Sequence, residues 1–274
     1  MTEEAHYLQC ALITGASSGL GREYAIQLAP SSKHLVLVAR REDKLKELQE
    51  LLLSIHSFLK VSIYVTDLAD KTERATLFEQ LQTADISPTL LVNNAGLGDY
   101  GEFSSSDWNK VESMLEVNMT ALTHLSHHFV PQMKKNKIGA ILNVSSLASL
   151  LPIPDFAVYA ATKAYVTSFG EALRSELAKD NIPVLTVCPG PIKTEFGDVA
   201  ARSDEERFQS ELYKHLNVPA EQVVRESLHA LAQNNPRLFP GWKIALIAAG
   251  ISLLPYFAIR AFNAGRFRKS TTTS

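Results

Sequence analysis

Tyr159 and Lys163 sit at the end of LNVSSLASLLPIPDFAVYAATKAY, residues 142–165, a stretch in which a pair of serines, Ser145 and Ser146, precedes the tyrosine by thirteen or fourteen residues. None of these polar groups helps a core, so a chemical use has to be weighed. The tyrosine and lysine are four apart in a segment whose spacing predicts a helix from about Ala157 to Lys179, so both project from one face a turn apart. A phenol is a poor base at neutral pH, and bringing its pKa from about 10 to about 7 needs about 4 kcal/mol in favour of phenolate. A fixed ammonium beside it has the required sign. The pair therefore predicts proton transfer at the Tyr159 oxygen. Each residue also has a structural reading: a strand-end hydroxyl for Ser146, a surface pair for Tyr159 and Lys163.

Elements that could position such a set are visible along the whole chain. Six β-branched runs stand at 10–14 (CALIT), 34–39 (HLVLVA), 61–65 (VSIYV), 89–94 (TLLVNN), 140–144 (AILNV) and 184–188 (VLTVC). Longer stretches with helical periodicity separate them. Strand–helix–strand repeats build a parallel sheet with helices on both faces, and the right-handed crossover rule limits this to a doubly wound α/β sheet. The 274 residues, 46% hydrophobic and 20% charged, suffice for one such unit over 1–241, followed by an apolar extension over 242–274.

Bulk properties exclude several functions. A net charge of −2 provides no electrostatic footprint for a nucleic-acid backbone. Cys10 and Cys188 lie in apolar runs with no Cys/His ligand spacing, so they read as buried reduced thiols, and no metal site is expected. The acidic start MTEEAHYLQ lacks the basic-then-apolar pattern of a secretory leader, which leads to a cytoplasmic expectation.

The turn after the first strand reads TGASSGLG, residues 14–21. Gly15, Gly19 and Gly21 allow a tight turn and close approach of backbone to a pyrophosphate, with the next helix's N–H groups facing the charge. The spacing is G-x-x-x-G-x-G, unlike the usual G-x-G-x-x-G, and a plain structural turn is the alternative. At the end of the second strand, an acid would read the 2′-hydroxyl of NAD and an Arg the 2′-phosphate of NADP. Here stand Arg40 and Arg41, which favours NADP(H) over NAD(H) with Arg40 as first candidate, although solvated charge is the bland reading.

In order, TGASSGLG, Asp67–Leu68, NNAG at 93–96, Asn118 in EVNMT, Ser146 in NVSS, YAATK at 159–163 and PGPIKT at 189–194 resemble the motifs of the short-chain dehydrogenases/reductases. The resemblance covers most of the first 195 residues and implies a sheet of about seven parallel strands. It implies Asn118, Ser146, Tyr159 and Lys163 as the catalytic set. Tyr159 would be the acid that protonates a carbonyl oxygen in reduction, Ser146 a donor to that oxygen, Lys163 a holder of the nicotinamide ribose, and Asn118 the keeper of a water. Thirteen residues to Tyr159 favour Ser146 over Ser145.

The same resemblance implies a cofactor site made of Gly15, Ser17, Ser18, Gly19, Leu20, Gly21, Arg40, Arg41, Asp67, Leu68, Asn94, Ala95, Gly96, Tyr159, Lys163, Pro189, Gly190, Ile192 and Thr194. Asp67 and Leu68 would meet the adenine, and Ile192 and Thr194 would border the nicotinamide and phosphates. A homodimer or homotetramer is implied, paired through helices around 107–136 and 157–179.

Leu97, Tyr100 and the run Leu150–Phe156 read as apolar walls, and residues of about 195–218 as a mobile cover. Together these predict reduction of an apolar ketone or aldehyde. A cofactor-sensing binding protein without turnover is the alternative, and a membrane-associated scaffold a third. The extension has sixteen uncharged residues from Ile244 to Ile259, broken by Pro255 and followed by Arg260, Arg266, Arg268 and Lys269. Sixteen is short of the roughly 20 needed to span a bilayer. Packing on the protein's own body or a second subunit, or lying on a membrane surface through residues 242–269, both remain.

Overall fold

In the computed structural model, which describes residues 6–202, 216–255 and 259, all six β-branched runs form strands. They are β1 (Cys10–Thr14), β2 (His34–Ala39), β3 (Lys60–Val65), β4 (Leu90–Asn93), β5 (Ala140–Val144) and β6 (Val184–Val187), joined by a short β7 (Arg237–Leu238). Every pairing is parallel in the order β3-β2-β1-β4-β5-β6-β7. The chain thus moves outward from β1 to β3 and restarts at β4 on the other side of β1. Loops on either side of that reversal diverge, and the crevice at the carboxyl ends of β1 and β4 is where such sheets take ligands.

Alternation along β1 shows how the strands hold both faces dry: Ala11 and Ile13 belong to one buried cluster, Cys10 and Leu12 to the other. On the first face lie α1 (Gly19–Leu28), α2 (Glu42–Ile55) and α8 (Ala220–Ala232), contributing Leu28, Leu48 and Val223. Across the sheet α3 (Lys71–Thr83), α5 (Leu122–Asn136) and α6 (Ala157–Leu177) contribute Leu77, Leu125 and Leu177. Each fully buried aliphatic side chain is worth about 1.5–3 kcal/mol, so this two-sided core fixes the strand ends on which the loops depend. Cys10 and Cys188 are free and buried, and burial pushes the Cys10 thiol up to about 11.

The remaining helices are α4 (Trp108–Leu115), α7 (Glu195–Ala200) and α9 (Trp242–Leu253). A π-helical turn, Glu116–Ala121, joins α4 to α5. The expected cover falls mostly on residues 203–215, outside the described residues, as do Arg260, Arg266, Arg268 and Lys269. Of the cover, α7 is described: Tyr100 N–H donates to the Ala200 carbonyl at 2.8 Å, and Tyr100 bridges Ala201. The extension starts by packing inward, because Ile244 is fully buried in the same cluster as β1.

Candidate active site

Loops leaving the carboxyl ends of β1, β4, β5 and β6 converge. After β1, Gly15 and Gly19 adopt φ of +66° and +53°, a region open to glycine at no steric cost. Gly21 is needed for space instead: a Cβ there would lie 2.2 Å from the Gly15 carbonyl oxygen and 2.6 Å from Asn94 Nδ2. Ser18 precedes α1 in extended conformation and its side chain makes no cap hydrogen bond, so the first N–H groups of α1 are left for another acceptor. A glycine-lined turn opening on a helix N-terminus fits a pyrophosphate, so these residues could hold the phosphate part of a dinucleotide.

NNAG is tied to that turn by Thr14, the first residue of TGASSGLG, which the sequence left without a role of its own. Thr14 Oγ1 accepts from the Asn94 and Ala95 N–H groups at 3.0 Å each, while Asn94 Nδ2 donates to the Thr14 carbonyl at 2.9 Å. Ala95 and Gly96 are thereby held beside Lys163, whose Nζ would lie 3.3 Å from a Cβ at Gly96. On the β6 side, a Cβ at Gly19 would be 3.4 Å from Thr194, so the Thr194 loop covers the glycine turn. Ile192 packs against the core cluster. The Pro189 carbonyl accepts from Leu147 N–H at 2.8 Å. Gly190 has a structural cause of its own: a Cβ there would strike Ile244 of α9 at 2.4 Å.

The two arginines part company. Arg41 donates through Nε and Nη2 to Ser17 Oγ at 3.3 and 3.2 Å and pairs with Glu195 at 2.8 Å, so it lies on the glycine turn. Arg40, favoured from the sequence, sits 3.7 Å from Asp67 at the surface. The chain direction at the strand end decides this, and no local pattern announces it. Leu68 is buried in the core, with its carbonyl accepting from Arg74 at 2.6 Å, so its side chain is committed to packing.

Around Tyr159 the serine choice resolves. Ser145 is buried and spends its hydroxyl on the Lys163 carbonyl at 2.8 Å and Thr167 Oγ1 at 2.7 Å, bracing α6 against β5. Ser146 Oγ accepts from Ala148 N–H at 3.1 Å, capping a 3-10 turn at Leu147–Leu150. Its own O–H is thereby available to the Tyr159 phenol that it faces. Asn118 is fully committed: Oδ1 accepts from Leu97 N–H at 2.8 Å, and Nδ2 donates to the Leu97 carbonyl at 2.9 Å and to Thr162 at 3.0 Å. In this arrangement its amide clamps the loop after β4. It sits in the π-helical turn, a deviation often found at functional sites.

Electrostatics depart from the expected lowering of the phenol. Burial pushes Tyr159 up to about 12, with Ser146 offsetting part of the rise. Lys163 lies under the ring, its Nζ 5.7 Å from the centroid and donating to the Val144 carbonyl at 2.9 Å. Burial pulls it down to about 8. Sequence spacing put the two on one helix face, but their dry surroundings raise the phenol and lower the ammonium. The walls are aromatic: Phe156 stacks on Tyr159 at 4.2 Å, Tyr100 meets Phe156 at 5.8 Å and Phe196 of α7 tilts over Tyr159 at 5.5 Å.

A consequence for stability follows from Lys163. The unfolded chain titrates it near 10.5 and the folded protein near 8, so between those values the unfolded chain holds the extra proton. Stability contributed by this site is lowest below pH 8 and rises as pH climbs toward 10.5. Lys163→Met is therefore expected to be more stable than the parent at pH 7, by roughly 1–3 kcal/mol. Urea unfolding at pH 7 and at pH 10 checks this: the gap should narrow at the higher pH.

Arg202 had no signature in the sequence. Its guanidinium grips the buried Asp99 through Nε at 3.0 Å and Nη2 at 2.6 Å, and also bonds Ser105 and Ser106. This bidentate clasp joins the segment just after α7 to the loop after β4.

Comparisons with known proteins agree with this architecture. The family model for short chain dehydrogenase matches residues 9–205. Sulfoacetaldehyde reductase 2 of Chromohalobacter salexigens is 34% identical over 199 residues, covering 71% of this chain and 77% of that protein. A very-long-chain 3-oxoacyl-CoA reductase of Laccaria bicolor is 35% identical over 180 residues, 64% of this chain and 52% of that one. A short-chain dehydrogenase of Sphingobium yanoikuyae, solved in complex with NADPH, superposes with a TM-score of 0.76 at 27% identity over 97% of both chains. With a family model matching residues 9–205 and a seven-stranded parallel sheet, the chain belongs to the short-chain dehydrogenase family.

Proposed function

We propose that this protein is an NADP(H)-dependent reductase of apolar ketones or aldehydes, with Tyr159 as the general acid. The observation that carries the proposal is the buried Tyr159 itself. Its phenol, pushed up to about 12, keeps its proton through the neutral range, faces Ser146 and is walled by Phe156 and Phe196. A nicotinamide dinucleotide, held through its pyrophosphate at the glycine turn, would supply hydride to the carbonyl carbon. The chain's part is to polarise and protonate the oxygen. Ser146 donates a hydrogen bond to it, Tyr159 transfers its proton to it, and the Lys163 ammonium favours the phenolate left behind. Asn118 holds the Leu97 loop in place, and aromatic rings exclude water and favour an apolar substrate.

For the cofactor, Arg41 supports NADP(H) more than Arg40 does, because it already donates to Ser17 on the phosphate-binding turn. The NADPH complex of the Sphingobium relative supports the same reading. A charge-assisted bond to a phosphate is worth about 1.5–3 kcal/mol, so Arg41→Ala is expected to cut the preference for NADPH over NADH by about tenfold or more. Arg40→Ala should have the smaller effect. Both are checked by kcat/KM with each cofactor across carbonyls of increasing apolar length. NADPH that binds without turnover in either direction would instead favour a cofactor-sensing protein. A homodimer or homotetramer is part of the proposal, and light scattering reads it directly.

A further inference from the structure

The two arginines that follow β2 each face an acid. Arg41 Nη1 lies 2.8 Å from Glu195 Oε2, and Arg40 Nη1 lies 3.7 Å from Asp67 Oδ2. All four side chains are well exposed, and ion pairs of that kind add little to stability. What sets the closer pair apart is its place. Thr194 lies over Gly19, so the chain leaving β6 crosses the glycine turn and carries Glu195, the first residue of α7, to the end of β2. Its carboxylate thus stands against the guanidinium that reaches Ser17 on that turn.

Arg41 gives Nε and Nη2 to Ser17 Oγ and Nη1 to Glu195, so every nitrogen of the guanidinium has a partner. A phosphate oxygen that comes to this fork meets one of two neighbours. Ser17 can turn its hydroxyl and donate to the phosphate, whereas an ionised carboxylate only accepts, and it repels. Resting on the NADP(H) reading of Arg41, we propose that Glu195 is a specificity-determining residue: it competes with the 2′-phosphate of NADP(H) for Arg41 and so restrains the preference over NAD(H). A 2′-hydroxyl carries no charge and requires no such exchange, so NAD(H) leaves the Arg41–Glu195 pair in place. Asp67 is the weaker competitor, at 3.7 Å from Arg40. Lys44 does not draw Glu195 away from Arg41, because it is paired with Glu47 at 2.9 Å. Glu195 also stands at the start of α7, where an acid suits the helix dipole, and the test has to separate that role from the competition.

Adenosine 2′,5′-bisphosphate and 5′-AMP differ by the 2′-phosphate alone, so calorimetric titration of the full chain with each isolates that group from nicotinamide and from turnover. Glu195→Gln keeps the length of the side chain and an accepting oxygen while removing the charge. It should tighten the bisphosphate by about three- to fivefold, the worth of an exposed ion pair, and change 5′-AMP by less than about 1.5-fold. In an Arg41→Ala background the gain should fall below about twofold, because no guanidinium remains to compete for. Salt should shrink the gain where Arg41 is present. A gain shared equally by both nucleotides, or one that persists in full without Arg41, overturns the proposal, since it would report relief of charge in general. So does an unchanged bisphosphate affinity, and a lower Tm beside it would assign Glu195 to the stability of α7. If the parent does not distinguish the two nucleotides, the NADP(H) reading fails and the competition with it. A parent preference that Arg41→Ala removes and Glu195→Gln leaves untouched sinks the competition alone.

Discussion

Tyr159→Phe is expected to lower kcat by about a thousandfold while NADPH affinity changes by no more than a few-fold. Only one oxygen is removed, and general acid catalysis by a positioned side chain contributes about 10²–10⁴-fold. Phe156 and Phe196, which pack on the ring, would meet an unchanged phenyl face. Folding should survive, because the lost hydroxyl is a buried group whose burial already disfavours its charged form. Steady-state rates with NADPH and a fluorescence titration of the same cofactor separate the two effects. A variant that keeps a tenth or more of the parent's kcat would remove Tyr159 from the proton path. One that loses both rate and NADPH binding would point to a structural role for the oxygen.

Gly21→Ala is expected to damage both fold and cofactor site. An added Cβ would stand 2.2 Å from the Gly15 oxygen and 2.6 Å from Asn94 Nδ2, and both are held by main-chain and side-chain bonds to Thr14 and Gly15. Neither neighbour is the free end of a flexible side chain. Overpacking of this kind costs about 1–3 kcal/mol or somewhat more, which for a chain of this size means a Tm lower by roughly 5–10 °C. Relief requires the turn to move away from α1, which opens the approach to the helix N-terminus. NADPH affinity should therefore fall by about tenfold or more. Thermal melts with and without NADPH test this, and a variant with the parent's Tm and the parent's NADPH-induced shift would mean that the turn yields without cost.

The contrast between Gly21 and Arg41 shows where reading the sequence stops. At Gly21 the requirement is local: a strand, a tight turn and a helix within eight residues leave no room for a side chain, and the pattern TGASSGLG states it. The strands were equally legible, since β-branched runs buried on both faces are continuous in hydrophobicity, and their alternation with helical stretches permits little besides a parallel doubly wound sheet. Tyr159 and Lys163 were legible as a pair because 3.6 residues per turn places positions four apart on one face.

What the sequence by itself determined is therefore everything carried by short-range periodicity and backbone sterics: the strands, the glycine turn, the Tyr–Lys face and the apolar, cation-ended extension. Tertiary structure gave each serine its partners, Ser145 bracing α6 and Ser146, which the thirteen-residue spacing favoured, facing the phenol, and it alone decided that Arg41 rather than Arg40 reaches Ser17. It also decided that Arg202 clasps Asp99, 103 residues away in sequence, and that Ile244 and Ala248 of α9 are core while Trp242, Leu246 and Leu253 are exposed. These outcomes depend on directions of side chains brought together from distant elements, and on burial that shifts Tyr159 upward against the hydrogen bond from Ser146. Burial and long-range direction are properties of the packed whole, so no window of sequence contains them.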